Sequence, residues 1–200
     1  MKTNLFFLAF MLLTIPSLCQ EKNFKYRGDV NYGYMMGISN YNLWTDEAHG
    51  NRMSVNEEIF GHSLRTLHGL VYKDKLFMGL GIGLENYTYK ESSFASFNAL
   101  PLFFNTKFYF LKKRNTFYTG ISVGHTIRIK GGGSVPGEWE GGIMINPEIG
   151  FKFKISRALD IMMSLNYVHQ NISTPDTFGG MDFLQKPQYR SAHVRVGIVF

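Results

Sequence analysis

The sequence predicts an all-β fold, an eight-stranded antiparallel up-and-down transmembrane β-barrel that follows an N-terminal signal peptide. Three observations predict it. Apolar and polar residues alternate along about eight segments between Phe24 and Phe200, short connections alternate with long ones, and no apolar run after residue 19 is long enough to cross a bilayer as a helix. Alternation gives each strand one apolar face. Besides a helix, only a closed barrel satisfies every backbone polar group in lipid.

The N-terminus predicts export. A basic second residue precedes an apolar run over residues 5–15, which is shorter than the roughly 20 residues of a transmembrane helix, as in a secretory signal peptide. Residues 1–19 are therefore the predicted signal peptide, cleaved near Cys19 and Gln20, and residues 20–200 are the barrel domain. A lipoprotein acylated at Cys19 is the alternative, which the leucine before that cysteine disfavours.

Composition excludes several classes of site. Cys19 is the only cysteine, so the mature chain has no disulfide and no thiolate metal site. No group of His, Asp and Glu has the spacing of metal ligands, and we expect no metal and no cofactor. The chain has 21 basic and 15 acidic residues, and most of the basic residues fall inside predicted strands. For an exported protein we expect no nucleic-acid partner. Binding of anionic lipopolysaccharide is the more natural role for these basic residues.

Four alternating segments occupy the first half of the chain, at residues 24–38, 53–71, 76–89 and 100–110. In each, the side chains of one parity are mostly apolar and are expected to face lipid. The second segment is the least regular because its outward set is half polar, and we expect a bulge there. That outward set is Phe60, His62, Leu64, Thr66, His68 and Leu70.

Four more segments follow, at residues 116–129, 143–155, 159–170 and 192–200. Tight turns separate the segments at three places, and four longer polar connections separate them elsewhere. An even number of strands returns both ends of the chain to the tight-turn side, which closes a barrel. Short turns toward the periplasm and long loops outside are typical of outer-membrane barrels. The longer connections lie at residues 44–50, 91–96, 131–142 and 171–188.

The closing segment alternates without a break and ends on an aromatic residue, with Val196 and Ile198 on the same face as Phe200. It resembles the last strand of bacterial outer-membrane barrels, which implies that these residues are the assembly signal read by the barrel-insertion machinery. Residues 24–200 as a whole resemble the small OmpX-like and OmpA-transmembrane-domain-like proteins. The resemblance implies a Gram-negative outer-membrane location, contact with membrane lipid and lipopolysaccharide, and a monomer.

A soluble barrel of the lipocalin type also alternates and also has about eight strands. Its outer face would be densely charged, whereas here the polar face mixes charges with many glycines, which suits a narrow interior. Aromatic residues near the strand ends predict interfacial girdles. The girdle on the tight-turn side is Phe24, Tyr26, Tyr72, Phe108, Phe110, Phe117, Phe153 and Phe200, and the opposite one is Tyr34, Phe60, Tyr87, Tyr89 and Tyr167.

The inward parity carries charges of both signs, which would share one narrow lumen. Paired, they would neutralise one another and plug the interior, because an eight-stranded barrel is just wide enough for its side chains to fill and unpaired buried charge is costly. Inward glycines would make room for the long arginines and lysines opposite them, namely Gly79, Gly81, Gly83, Gly120, Gly124 and Gly150. A conducting pore is the alternative. The predicted lumen charge network is Arg27, Asp29, Glu57, Arg65, Glu85, Lys107, Arg128, Glu148, Lys152, Asp160 and Arg195.

Histidines at rim or lipid-facing positions invite comparison with barrel enzymes that modify lipid A. A hydroxyl beside an imidazole is the minimum for acyl transfer, and the candidates are His62 with Ser63, or His169 with Ser173 and Asp176. Neither spacing matches a known barrel-enzyme motif, and we assign no catalytic residue.

The outer loops are where binding of a surface ligand is expected. They contain aromatic residues near acidic ones, namely Trp44, Trp139, Phe178 and Phe183 with Asp46, Glu138, Glu140 and Asp182. The leading hypothesis is a non-enzymatic outer-membrane barrel with a structural, envelope-stabilising or surface-interaction role. A lipid A modifying enzyme and a narrow solute channel are the alternatives.

Overall fold

A computed structural model describes most of the chain from residue 23 onward. The predicted signal peptide and Glu57 lie outside the described residues. The described ranges are 23–46, 52–56, 58–90, 96–111, 115–129, 141–156, 159–171, 174–178, 181–185 and 188–200.

The described residues form eleven strands in one antiparallel sheet, and no helix among them is long and apolar enough to cross a membrane. The strands are β1 (Phe24–Asp46), β2 (Arg52–Asn56), β3 (Ile59–Tyr72), β4 (Leu76–Tyr89), β5 (Ser96–Tyr109), β6 (Thr116–Ile129), β7 (Gly141–Lys154), β8 (Asp160–Asn171), β9 (Thr174–Phe178), β10 (Met181–Gln185) and β11 (Gln188–Val199).

Eight of these strands close a barrel, as the sequence predicts. Strands β1, β3, β4, β5, β6, β7, β8 and β11 follow one another around the wall, and β11 pairs with β1 to complete it. At the closing seam, Gly28 and Phe200 exchange two backbone hydrogen bonds of 2.9 Å. Closure leaves no edge in the wall, so backbone donors and acceptors pair with the neighbouring strands without water, with interruptions at Pro101 and Pro147, which have no N–H.

The bounds of β4 and β6 agree with the prediction, whereas β1 continues eight residues beyond the predicted end, to Asp46. There it pairs with β2 on one side and β10 on the other, and β9 pairs with β10. The connection at 171–188, expected to be irregular, therefore contains a short hairpin. Backbone pairing stabilises a polar strand regardless of its side chains, which is why composition did not reveal it.

The bulge expected in the second segment is wrong for β3. This strand pairs with β1 and β4 in continuous register over its length. The register shift lies instead in β1, between Gly37 and Ser39 opposite β11. The polar outward residues of β3 are thus accommodated in a regular strand and need another explanation.

The wall has an apolar outside and a largely polar inside. The tight-turn girdle faces outward as predicted, but Tyr87 is buried within the barrel and Tyr89 packs against the same interior cluster, so the opposite girdle is wrong at these two positions. Both have odd numbers in β4, and odd-numbered residues of this strand face inward, whereas even-numbered ones such as Leu84 face outward. Exposed apolar residues of the belt include Leu80, Ile82, Leu102, Phe104, Ile121, Val123, Leu165 and Val196.

The hairpin between β3 and β4 has an unusual turn. Lys73 and Asp74 have positive φ values of 49° and 58°, and the Lys75 amide donates to the Tyr72 carbonyl at 3.0 Å. Two left-handed residues between paired strands are the geometry of a type I′ turn, which favours Asn-Gly. Here both positions carry charged side chains instead.

Candidate functional site

The half of the interior nearer the long loops is organised around a buried carboxylate, Glu85 on β4. It accepts hydrogen bonds from Arg65 Nη2 and from Arg65 Nε at 3.1 Å. Its other oxygen accepts from the Tyr87 hydroxyl at 2.8 Å and from Gln170 Nε2 at 3.0 Å. Gln170 is on β8, across the barrel from β4, so its bond to Glu85 crosses the lumen.

A second cluster lies nearer the tight turns. Lys107 Nζ on β5 donates to Asp29 Oδ2 on β1 at 2.8 Å and lies 4.0 Å from Glu148 Oε1 on β7. Asn105 Nδ2 donates to the same Glu148 oxygen at 3.1 Å and to Ser122 Oγ at 2.8 Å. One buried ammonium thus joins carboxylates from two non-adjacent strands.

Arg195 on β11 joins the network through neutral groups. Its Nη1 donates to Asn166 Oδ1 at 2.7 Å and its Nη2 to His193 Nδ1 at 2.9 Å. Because a guanidinium only donates, His193 accepts at Nδ1 and carries its proton at Nε2, where it donates to Ser191 Oγ at 2.8 Å. With its amide oxygen toward the arginines, Asn146 accepts from Nη1 of Arg65 at 2.7 Å and of Arg195 at 2.9 Å.

Other than Glu57, which lies outside the described residues, the remaining charges of the predicted set lie toward the two ends of the lumen. Lys152 and Asp160 form an ion pair at 3.2 Å near the tight turns. The Arg27 guanidinium lies 5.3 Å from the centre of the Tyr109 ring, and that of Arg128 lies 4.8 Å from the Phe97 ring.

Only some of the inward glycines face the side chains that were predicted. A Cβ on Gly83 would lie 2.8 Å from Arg65 Cγ, as predicted, whereas one on Gly120 would lie 2.8 Å from Oε1 of the acidic Glu148. Gly150, expected to make room for a basic side chain, instead faces the Tyr118 ring.

Aromatic rings close both ends of this polar interior. Tyr87 stacks on Phe97 with 4.8 Å between ring centres and lies 5.7 Å from Tyr189 at the long-loop end. Tyr109 and Tyr118 lie 5.8 Å apart at the tight-turn end. A cavity of about 20 Å³, lined by residues of both clusters, lies between. Since one water needs at least about 10–15 Å³, the cavity suits one or two waters.

The outer face separates His62 from its expected partner. His62 points outward and Ser63 inward with 1% exposure, because successive residues of a strand face opposite sides. The expected His62 and Ser63 pair is therefore wrong. His62 Nδ1 is instead hydrogen-bonded to the Tyr32 hydroxyl at 2.7 Å.

A second outward histidine, His68, is bonded through both ring nitrogens. The Tyr26 hydroxyl meets Nδ1, and the Thr66 hydroxyl lies 3.0 Å from Nε2. Thr66 also donates to the Asp29 carbonyl at 3.4 Å. We call Tyr26, Thr66 and His68 the outer polar cluster. Its members bond one another, which explains how a lipid-facing strand tolerates them.

The loop candidates are only partly within the described residues. Backbone pairing places Trp44 opposite Gln185 and Asp46 opposite Phe183, on the extension of β1 beyond the wall. Phe178 and Asp182 lie in the β9–β10 hairpin, as does Asp176 of the second enzyme candidate, while His169 is on β8. Ser173 and the 138–140 segment, with Glu138, Trp139 and Glu140, lie outside the described residues.

Sequence reasoning missed several neutral members of the interior network. Gln170, Asn146, Asn166 and His193 all have inward parity on strands whose bounds were nearly correct. Parity was therefore the signal that could have found them. Their amide and imidazole groups matter because they let Arg195 be buried without a carboxylate beside it.

Comparisons with known proteins match this architecture. No family model and no curated protein matches the chain. Among solved structures, the outer membrane protein OprG from Pseudomonas aeruginosa is similar with a TM-score of 0.61 at 11% identity, over 89% of this chain and 96% of OprG. The outer membrane protein AlkL, determined in lipid bilayers, is similar with a TM-score of 0.50 at 11% identity, over 86% of this chain and 90% of AlkL. The chain has the fold of the small outer-membrane β-barrels.

The seam of this outer-membrane barrel fold is where the predicted assembly signal lies. Val196 and Ile198 face outward in β11, and the terminal Phe200 ring lies edge-on to His68 with 6.3 Å between ring centres. A Cβ on Gly28 would lie 2.6 Å from Phe200 Cε2, so the glycine leaves the space that the ring occupies.

Proposed function

We propose that this chain is a non-enzymatic integral outer-membrane protein with a closed lumen, whose role is structural or depends on surface interaction by the long-loop end. The main support for the closed lumen is that side chains on strands that are not neighbours bond one another across the interior. Lys107 joins Asp29, and Gln170 joins Glu85, between strands that are not neighbours. Bonds of this kind occupy the space through which a solute would pass.

The energetics support a plug. A buried charge is costly unless it is paired and its remaining hydrogen-bonding groups are satisfied. Glu85, with 0% exposure, accepts four hydrogen bonds from three side chains, so breaking its layer to open a path would leave several buried groups without partners. The aromatic rings at both ends separate the layer from bulk water.

The outer face supports membrane insertion. Leucine, isoleucine, valine and phenylalanine side chains are exposed on all sides of the wall, an arrangement that water would penalise and hydrocarbon stabilises. We infer that Val196, Ile198 and Phe200 present the strand recognised by the barrel-assembly machinery, and that the barrel acts as a monomer in contact with outer-membrane lipid and lipopolysaccharide.

The surface role is proposed for the extension formed by β1, β2, β9 and β10. It projects the sheet beyond the wall on the long-loop side and brings Trp44, Asp46 and Phe183 onto one backbone platform. Loops supported by a rigid scaffold are common places for recognition.

Bilayer conductance tests the closed lumen. Purified protein that migrates in its heat-modifiable folded form should give no discrete single-channel steps in a planar bilayer. The double variant Glu85→Ala/Lys107→Ala, which removes one group from each cluster, should leak more than the wild type. Well-defined steps from the wild-type protein would overturn the closed lumen. Lipid A mass spectra that change with expression of the protein would overturn its non-enzymatic assignment.

A further inference from the structure

The two ends of the barrel carry opposite charge. The three tight connections, at residues 73–75, 110–115 and 155–159, contain six basic residues and one acidic residue. The long connections, at 46–58, 90–96, 130–140 and 172–187, contain nine acidic and four basic residues. Basic residues were expected to lie mostly inside strands. The sheet topology instead concentrates many of them at one end.

Four described lysines lie at the tight-turn end of the barrel. Lys25 is the second residue of β1, Lys73 and Lys75 lie in the β3–β4 turn, and Lys154 is the last residue of β7. Lys25, Lys73 and Lys154 are exposed and Lys75 is half-buried. We call these four residues the basic rim. The sequence adds Lys112, Lys113, Arg114 and Arg157 in the other two connections at this end.

The basic rim directly follows the apolar belt. Tyr72 and Phe153, the residues before Lys73 and Lys154, belong to the outward aromatic girdle, which is typical of the boundary between hydrocarbon and headgroups. Lys73 and Lys154 therefore follow that boundary by one residue, at the level of lipid phosphates, where lysine stems can lie along apolar surface. Lys25 lies level with the girdle and reaches Asp74 in the turn with its ammonium group.

The turn itself retains charge at a conformational cost. Lys73 has a φ of 49°, a left-handed conformation in which Asn or Gly would be unstrained. Asp74, the acid of this turn, accepts from Lys25 Nζ at 2.9 Å and neutralises one rim lysine. A turn selected for stability alone would contain Asn-Gly, so these residues point to a use for the charge.

We propose that the basic rim binds the phosphate headgroups of anionic phospholipids in the leaflet that surrounds the tight-turn end. This inference rests on the proposed insertion of the barrel in a membrane and adds a partner to it. The acidic long-loop end disfavours the same role for the anionic sugars and phosphates of the opposite leaflet.

Native mass spectrometry of the folded protein in mixed micelles tests the proposal. We expect more bound phosphatidylglycerol than phosphatidylcholine at low salt, by about fivefold per rim lysine, with the preference falling steeply at 0.5 M salt. The variant Lys25→Gln/Lys73→Gln/Lys75→Gln/Lys154→Gln should lose at least about tenfold of that preference.

Two variants serve as comparisons. Replacing four basic residues of the other end, Lys90→Gln/Lys130→Gln/Lys186→Gln/Arg190→Gln, removes equal charge and should leave the preference unchanged. Asp74→Asn frees Lys25 and removes the acid of the turn, and should increase it.

Equal losses in the two fourfold variants would overturn the proposal, because net charge alone would then explain binding. Binding of soluble peptidoglycan fragments in place of phosphatidylglycerol would also overturn it. Heat-modifiable migration on a gel distinguishes failure of the proposed barrel from failure of the basic-rim proposal. If the wild type lacks it, the proposed barrel fails, whereas a folded wild type without lipid preference contradicts the basic rim alone.

Discussion

The inner and outer faces of the barrel wall both contain hydrogen-bonded polar groups, but of different kinds. Inside, full charges are paired, Arg65 with Glu85 on the adjacent strand and Lys107 with Asp29 across the lumen. Outside, the outer polar cluster holds hydroxyl and imidazole groups that bond one another within two adjacent strands. In the proposed membrane-inserted barrel, bulk water reaches the middle of neither face, so polar groups on both faces require bonded partners. Only the inside, where strands converge from all directions, supplies enough partners for charges.

The largest expected effect is on the inside. Glu85→Gln leaves the buried Arg65 guanidinium without its carboxylate and should destabilise the folded barrel by about 3–5 kcal/mol. Urea titration in lipid vesicles, followed by heat-modifiable migration, measures this. The double variant Arg65→Met/Glu85→Leu removes both charges and should recover much of the loss. A Glu85→Gln barrel as stable as the wild type would show that the pair is solvated.

The outer face should reject the kind of charge that the inner face holds. Leu102 is 43% exposed at the centre of β5, and Leu102→Arg should cost about 2–4 kcal/mol because no partner reaches it there. The same urea titration applies, with Leu102→Phe as a neutral control. Equal stability of the two variants would mean that this face is in water.

Close packing inside gives the next effect. A Cβ on Gly83 would lie 2.8 Å from Arg65 Cγ and 3.2 Å from the Leu64 carbonyl, so Gly83→Ala should displace the arginine and cost about 1–3 kcal/mol. The outward-facing Thr119→Ala serves as a comparison of similar size. If both changes have the same small effect on urea midpoints, the interior is loosely packed.

Hydrogen bonds on the outer face should contribute less. In a double-mutant cycle, Tyr26→Phe and His68→Phe should show a coupling energy of about 0.6 kcal/mol, the average for hydrogen bonds in lipid. The corresponding cycle for Arg65 and Glu85 should give a larger value. A larger coupling outside than inside would reverse the order of the two faces.

The smallest effect lies at the rim. The hydrogen bond from Lys25 lowers the pKa of Asp74 below its ordinary value of 3.8, so its stabilisation is present above pH 3.8 and is lost as the pH falls through the lowered value. Because the pair is exposed, its contribution should be below about 1 kcal/mol. Asp74→Asn should remove this part of the pH dependence in urea titrations between pH 2.5 and 6.

Strict period-two alternation made the wall predictable. It located β4 and β6 at their observed bounds and assigned the inward parity of Glu85, Lys107 and Glu148, because each residue of a strand has only two directions available. Where parity was set aside, the prediction failed. Tyr87 was assigned to a girdle because of its residue type, and His62 was paired with its sequence neighbour.

Pairing across the lumen could not be predicted from alternation. Parity places Asp29 and Lys107 inside, but their contact depends on how β1 and β5 are arranged around the closed barrel. The β9–β10 hairpin was missed for a related reason, since polar strands beyond the membrane carry no apolar face that would reveal them.

By itself, the sequence determined the all-β class, the number of wall strands and which residues face inward, because these follow from local alternation and from the lengths of connections. Tertiary structure alone decided which charges meet, where aromatic rings close the ends, and that basic residues scattered along the chain gather at one rim. These are relations between residues far apart in the sequence, as in the bond between Glu85 and Gln170, which are 85 positions apart, and only closure of the barrel brings them together.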